Sequence, residues 1–137
     1  MNTDNKTKKG KAIEHYIIYE LLKNDFDVFV PVVDTGTDLI IKDREGGLVE
    51  IQVKSREIKD DQDVFFIKDF TPSHKFFIVC HNTNTGDFFC MPSKKFHQMS
   101  KINEKGQRVM TYKDIEIRSD YTKNQNGIAL LKKALES

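Results

Sequence analysis

The chain of 137 residues contains no Trp, two Cys, three Pro and seven Gly, and it has no long apolar run. Two cysteines exclude a disulfide framework; Cys80 and Cys90 read as a pair of reduced, buried thiols around a hairpin. So little Pro and Gly excludes a collagen-like or low-complexity chain. The longest apolar runs, such as Phe76 to Cys80, have strand length and are far too short to span a bilayer. The charge is nearly balanced, with 22 Lys and Arg against 21 Asp and Glu. Global charge therefore gives no strong, unselective pull on nucleic acid, although a local basic face is compatible with it. The polar, Lys-rich start has no apolar segment of a signal peptide, and the expectation is a soluble cytoplasmic protein. Ten Phe supply bulky core material, and the length suits one domain with a core of its own.

Met1 to Lys9 shows no apolar pattern and reads as a flexible basic arm, either solvated or touching phosphate. From Gly10 to Lys23 the spacing predicts a helix, with Ile13, Ile17 and Leu21 on one stripe widened by Ile18 and Leu22. Glu14 falls inside that apolar face. A carboxylate there either reaches outward from the rim or serves a polar site beneath the helix. Phe26 to Val33 is rich in Phe and Val, and Pro31 marks an edge or a strand end. Asp34-Thr35-Gly36-Thr37 has turn chemistry. Asp38 to Arg56 reads as a hairpin turning at Glu45-Gly46-Gly47. Glu57 to Asp63 is a charged loop, and Val64 to Phe70 reads as a strand or as one or two helical turns. Phe76 to Cys80 and Phe88 to Met91 form a second hairpin, and Pro92 to Phe96 opens a short helix. Thr111 to Arg118 is expected as one more short strand, and Gly127 to Leu135 as a closing amphipathic helix. The order gives a mixed α/β domain.

Chemistry concentrates in the first hairpin. In V-E-I-Q-V-K, Val49, Ile51 and Val53 face one way, and Glu50, Gln52 and Lys54 the other. If the register sets Asp38 beside Gln52, a carboxylate, an amide oxygen and an ammonium converge, since neighbouring strands are about 5 Å apart. Glu14 joins them if the first helix packs over the hairpin. Hard oxygen donors suit Mg²⁺ or Mn²⁺ rather than zinc, and His15, His74, His81 and His97 are scattered without zinc spacing. There is no Gly-rich phosphate loop and no nucleophile elbow.

The segments G-K-A-I-E (Gly10 to Glu14), T-D-L-I-I (Thr37 to Ile41) and V-E-I-Q-V-K-S (Val49 to Ser55) resemble the PD-(D/E)xK nuclease superfamily. The likeness is to restriction-endonuclease-like and Holliday-junction-resolvase-like proteins, in a Gln variant of the motif. It implies a restriction-endonuclease-like α/β fold, a mixed central β-sheet flanked by helices. It implies a metal-dependent endonuclease that hydrolyses DNA phosphodiester bonds with Mg²⁺ or Mn²⁺. Asp38 would be the central metal ligand, with Gln52 and the Val53 carbonyl as further ligands and Glu14 either a direct ligand or a group that holds one. Lys54 would orient and activate the attacking water and stabilise charge on the phosphate. Gln52 stands where the family usually has Asp or Glu. An amide brings no charge, so Mg²⁺ binding should be weaker unless Glu14 or Glu50 compensates. The family usually places a helix after Arg56, whereas Asp60 to Pro72 shows no helical period.

Lys11, Arg56, Lys94 and Lys95 are candidate nucleic-acid contacts. The wider set Lys94, Lys95, Lys101, Lys105, Arg108, Lys113 and Arg118 reads either as a DNA-facing patch or as a solvated surface. A single small site cuts one strand, so a homodimer is expected. The alternative to a nuclease is an inactive member of the fold that binds nucleic acid or a protein partner.

Overall fold

The computed structural model describes residues 3–33 and 35–137, with side chains from Lys8 onward. Met1 and Asn2 of the basic arm, the side chain of Lys6, and Asp34 of the expected turn lie outside the described residues. Helix α1 (Thr3–Lys23) leads into strands β1 (Asp27–Phe29), β2 (Leu39–Lys42), β3 (Leu48–Arg56) and β4 (Val64–Lys68). Strands β5 (Phe76–Asn82) and β6 (Phe88–Pro92) follow, then α2 (Ser93–Met99), β7 (Lys101–Ile102) and β8 (Gln107–Thr111). Helix α3 (Tyr112–Arg118), a 3-10 turn (Asp120–Thr122) and α4 (Gln125–Glu136) complete the described chain.

Five strands form a mixed sheet in the order β1-β2-β3-β5-β6, and three form a second, antiparallel sheet in the order β4-β8-β7. The only parallel pair is β3 with β5, among the described residues. A parallel pair needs a crossover. Here the chain leaves β3, passes through β4 in the second sheet, and returns as β5.

Alternation along the strands sorts two cores onto the two faces of the large sheet. On one face Leu39, Ile41, Val49, Ile51, Phe77 and Val79 meet Ile17 and Leu21 of α1 and Ile128, Leu131 and Leu135 of α4. On the other, Ile78, Cys80, Phe89 and Met91 meet the second sheet, α2 and α3 through Phe65, Ile67, Phe96, Met110 and Ile115. Each such side chain, fully buried, contributes about 1.5–3 kcal/mol. Cys80 and Cys90 are both free and buried, as read from the sequence. They belong to opposite cores, so adjacent strands do not bring their sulfurs to one face. Burial pushes both thiols well above the usual range.

Several elements differ from the sequence reading. α1 starts at Thr3 rather than Gly10, because apolar spacing marks only the turns that touch the core. The Phe26–Val33 strand shrinks to Asp27–Phe29, an edge strand ended before Pro31. Val64 to Phe70 resolves as a strand ending at Lys68, with Phe65 and Ile67 inward. Thr111 to Arg118 is not a strand. The Thr111 side chain accepts the Asp114 N–H at 3.2 Å, and α3 starts there. T-Y-K-D is the Thr-x-x-acid signature of a helix start.

Gly127 sits in the first turns of α4 with no room for a side chain. An added Cβ would meet the Thr122 carbonyl oxygen and the Cys90 Cβ. Alanine would gain about 0.5–1 kcal/mol of helix propensity but overpacks the contact by about 1–3 kcal/mol. The steric term wins. Gly127→Ala should lower the melting temperature by several degrees in a thermal denaturation, and a rise would show that the contact relaxes freely.

Candidate active site

The β2–β3 hairpin builds the site. Its register pairs Leu39 with Ile51, Ile40 with Glu50 and Ile41 with Val49. The turn is held by Asp43, whose carboxylate accepts the N–H groups of Glu45 and Gly47, with Gly46 at φ 90°. At the other end the regular ladder stops at Leu39, and one further step would set Asp38 opposite Gln52. The Asp38 main chain stays attached, donating its N–H to the Ile51 carbonyl at 2.9 Å. Its carboxylate takes up the ladder: Oδ2 accepts the Val53 N–H at 2.7 Å. A carboxylate held by a main-chain donor in this way is fixed in direction. Thr37, just before it, donates its hydroxyl to Glu50 Oε1 at 3.0 Å and ties the incoming loop to β3.

Two clefts open on either side of this strand end. One, of about 270 Å³, is lined by Gly10, Lys11 and Glu14 of α1, Val30 to Val32, and Thr37 and Asp38. The other, of about 420 Å³, is lined by Thr37, Glu50 and Gln52 on one side and by Lys68, Asp69 and Phe70 on the other. Thr37 belongs to both.

The structure thus brings Glu14 and Asp38 to one cleft. The Glu14 side chain is 19% exposed and lies 3.4 Å from Lys11 Nζ. The carboxylate lines a polar cleft at the end of the sheet, at its rim beside the exposed Lys11. Gln52 lines the neighbouring cleft, and Lys54 follows two residues on along the same face, half-buried. No ion pair among the described residues includes Lys54. Val53 packs its side chain on the α1 face, and its N–H is the group that anchors Asp38.

The candidate nucleic-acid contacts are spread out. Lys11 borders the Glu14–Asp38 cleft. Arg56 ends β3 and ties it to β4: it donates to the Val64 carbonyl at 2.7 Å, lies 3.9 Å from Asp63, and stacks over Phe66. The Asp63 carboxyl is held below its usual range by the N–H groups of Lys59 and Asp60, with Arg56 adding to this. Lys94 and Lys95 start α2, beyond β6. That is three strand spacings from β2, about 15 Å.

Sequence reasoning left two residues without a firm role. Glu50 shares the polar face of β3 with Gln52, which alternation alone revealed, but its bond to Thr37 needs the β2–β3 register. Lys68, which lines the second cleft with Gln52, comes from a strand of the other sheet and left no signal.

Among the described residues no group of three or more His, Cys, Asp and Glu side chains is placed to hold a metal ion. The candidate donors are instead two carboxylates, the amide of Gln52 and a main-chain carbonyl. All are hard oxygens, the chemistry that fits a hard divalent cation.

A mixed sheet with a helix on the hairpin face, a carboxylate at the strand end and a Gln-x-Lys pair on the next strand define a restriction-endonuclease-like α/β protein. The chain belongs to the PD-(D/E)XK endonuclease family, whose model matches residues 3–124. Enzymes of this family generally use divalent metals. The fold is shared with the bacterial homing endonuclease I-Ssp6803I, at 20% identity, a TM-score of 0.67, and coverage of 93% of this chain and 95% of that one. No curated protein matches the sequence.

Proposed function

We propose that the protein is a metal-dependent endonuclease that hydrolyses DNA phosphodiester bonds with Mg²⁺ or Mn²⁺ in the cytoplasm. The observation that carries this reading is the Asp38 carboxylate, anchored on the Val53 N–H at 2.7 Å with Glu14 in the same cleft. Asp38, Glu14, Gln52 and the Val53 carbonyl are the groups that would hold the ion. When bound, it would act as Lewis acid on the phosphate and lower the pKa of a coordinated water.

The chain's own groups do the rest. Lys54 donates its ammonium N–H to orient the attacking water and offsets charge on the phosphate. The tie from Thr37 to Glu50 holds the loop that delivers Asp38. Lys11, at the rim of the same cleft, meets the backbone of the strand being cut. One such site cuts one strand, so two copies of the chain act together on a duplex.

The test is direct. The purified protein, given plasmid, duplex, junction or single-stranded DNA with Mg²⁺ or Mn²⁺, should cut at least one of them, and a chelator should stop it. If every substrate stays intact with either ion, the domain is a binding module and the reading fails.

A second measurement concerns Gln52. Its neutral amide leaves the site one charge short, so ion binding without DNA should be weak and should tighten when substrate phosphates add ligands. Gln52→Glu should strengthen Mn²⁺ binding to the DNA-free protein by about tenfold in a calorimetric titration. Unchanged affinity would place Gln52 outside the ligand set.

A further inference from the structure

The second sheet carries a surface that the proposed chemistry does not use. Its strands β4 (V-F-F-I-K), β7 (K-I) and β8 (Q-R-V-M-T) contain Lys68, Lys101 and Arg108 and no Asp or Glu. In a chain of nearly balanced charge this is a local excess of one sign. Alternation and pairing assign the faces. Phe65, Ile67 and Met110 point into the core. Directly opposed residues share a face, so the outward face has Lys68 beside Gln107 and, in the next row, Phe66 beside Val109 beside Lys101. Thr111 lies on the same face two residues further along β8. Phe66 is 45% exposed, with the Arg56 guanidinium over its ring.

The basic groups fall into two kinds. Arg108 is consumed within the fold: it lies 3.0 Å from Asp69 and donates to the His97 carbonyl. Among the described residues, no ion pair includes Lys68 or Lys101. Both are exposed. Lys68 also lines the cleft of Gln52 and Glu50. Lys68 therefore joins the outward face of the small sheet to the cleft of Gln52.

We propose that this face is the surface that receives duplex DNA, entering the major groove. Lys68 and Lys101 neutralise phosphates, and Gln107 and Thr111 meet base edges between them. The proposal rests on the nuclease reading and adds to it the element that recognises the substrate. A two-stranded antiparallel ribbon fits a major groove about 12 Å wide, and β7, with two residues, leaves much of this sheet two strands across. Gln107 Oε1 accepts from Asn103 Nδ2 at 3.0 Å and the Thr111 oxygen accepts the Asp114 N–H, so both residues turn donors, the amide N–H groups and the hydroxyl, to acceptors on a base edge, while apolar groups such as Phe66 and Val109 suit the thymine methyl. Duplex rather than a protein partner is favoured by the face's charge, positive with no carboxylate on the strands, and by Lys68, which it shares with the cleft.

The experiment measures binding of a labelled duplex to the full chain in a chelator, by anisotropy at several salt concentrations. The Lys68→Ala/Lys101→Ala double variant should weaken binding to all duplexes alike and reduce the slope of log affinity against log salt by about 2. Gln107→Ala should keep the slope but relax the sequences enriched from a randomised duplex pool. Lys133→Ala, on α4, serves as the control and should behave as wild type. A double variant with wild-type slope and affinity overturns the proposal, as does a Gln107→Ala pool identical to the wild-type pool. The two readings fail separately. A wild type that binds duplex through this face but never cuts removes the nuclease and leaves the surface. A wild type that cuts, with the double variant unaltered in binding and slope, removes the surface and leaves the nuclease.

Discussion

Lys54→Ala should lower metal-dependent DNA cleavage by about two to four powers of ten, while affinity for DNA falls by less than about tenfold. The difference follows from what one ammonium does in each process. In binding it neutralises roughly one phosphate among several and releases about one counterion. In the chemical step it is the cation on the face of β3 that carries Gln52, two residues along, and nothing among the described residues pairs with it. No other Lys or Arg lies on that face of β3 before Arg56, and Arg56 is engaged by Val64, Asp63 and Phe66. Single-turnover cleavage and chelator-arrested binding, measured on the same preparation, separate the two effects. Equal losses in both would make Lys54 a phosphate contact only.

Asp38 should respond differently to two substitutions. Asp38→Asn keeps an oxygen that can accept the Val53 N–H, so the strand end stays closed and stability should change by less than about 1 kcal/mol. The charge is gone, and with it the central ion ligand; cleavage should fall at least about a thousandfold. Asp38→Ala should lose cleavage to the same extent. It also strips a part-buried main-chain donor of its partner, which costs about 1–3 kcal/mol. Urea denaturation and cleavage of both variants test this together. If Asp38→Asn retains cleavage within tenfold of wild type, the carboxylate is a structural strand cap and not part of the chemistry.

Part of this protein was legible in its residues because each segment states its own period. Val49 to Lys54 alternates strictly, and the strand carries Val49 and Ile51 into one core with Gln52 and Lys54 on the other face. Ile13, Ile17 and Leu21 repeat at helical spacing, and the helix packs on that same hairpin. Asp38, Gln52 and Lys54 could be named as candidates because short hairpins have little choice of register. The family likeness rested on the same first 56 residues.

Where signals were weak or spoke of two things at once, tertiary structure decided. Thr111 to Arg118 has apolar residues at positions that suit either element, and the side-chain cap at Thr111 settled it as a helix. Cys80 and Cys90 sit on neighbouring strands, but pairing them through Val79 and Phe89 sends their sulfurs to opposite cores. The basic residues from Lys94 to Arg118 formed one set along the chain. In space they divide among α2, the small sheet and α3, and Arg108 turns to Asp69. Glu14 and Asp38 line one cleft only because α1 packs over the end of the hairpin there, and Lys68 and Gln52 line another only because the crossover from β3 to β5 runs through another sheet. Local periodicity is set by dihedral preferences and the hydrophobic pattern within a few residues. Which surfaces then meet depends on how whole elements bury their apolar faces against one another, and that is a property of the packed chain rather than of any segment in it.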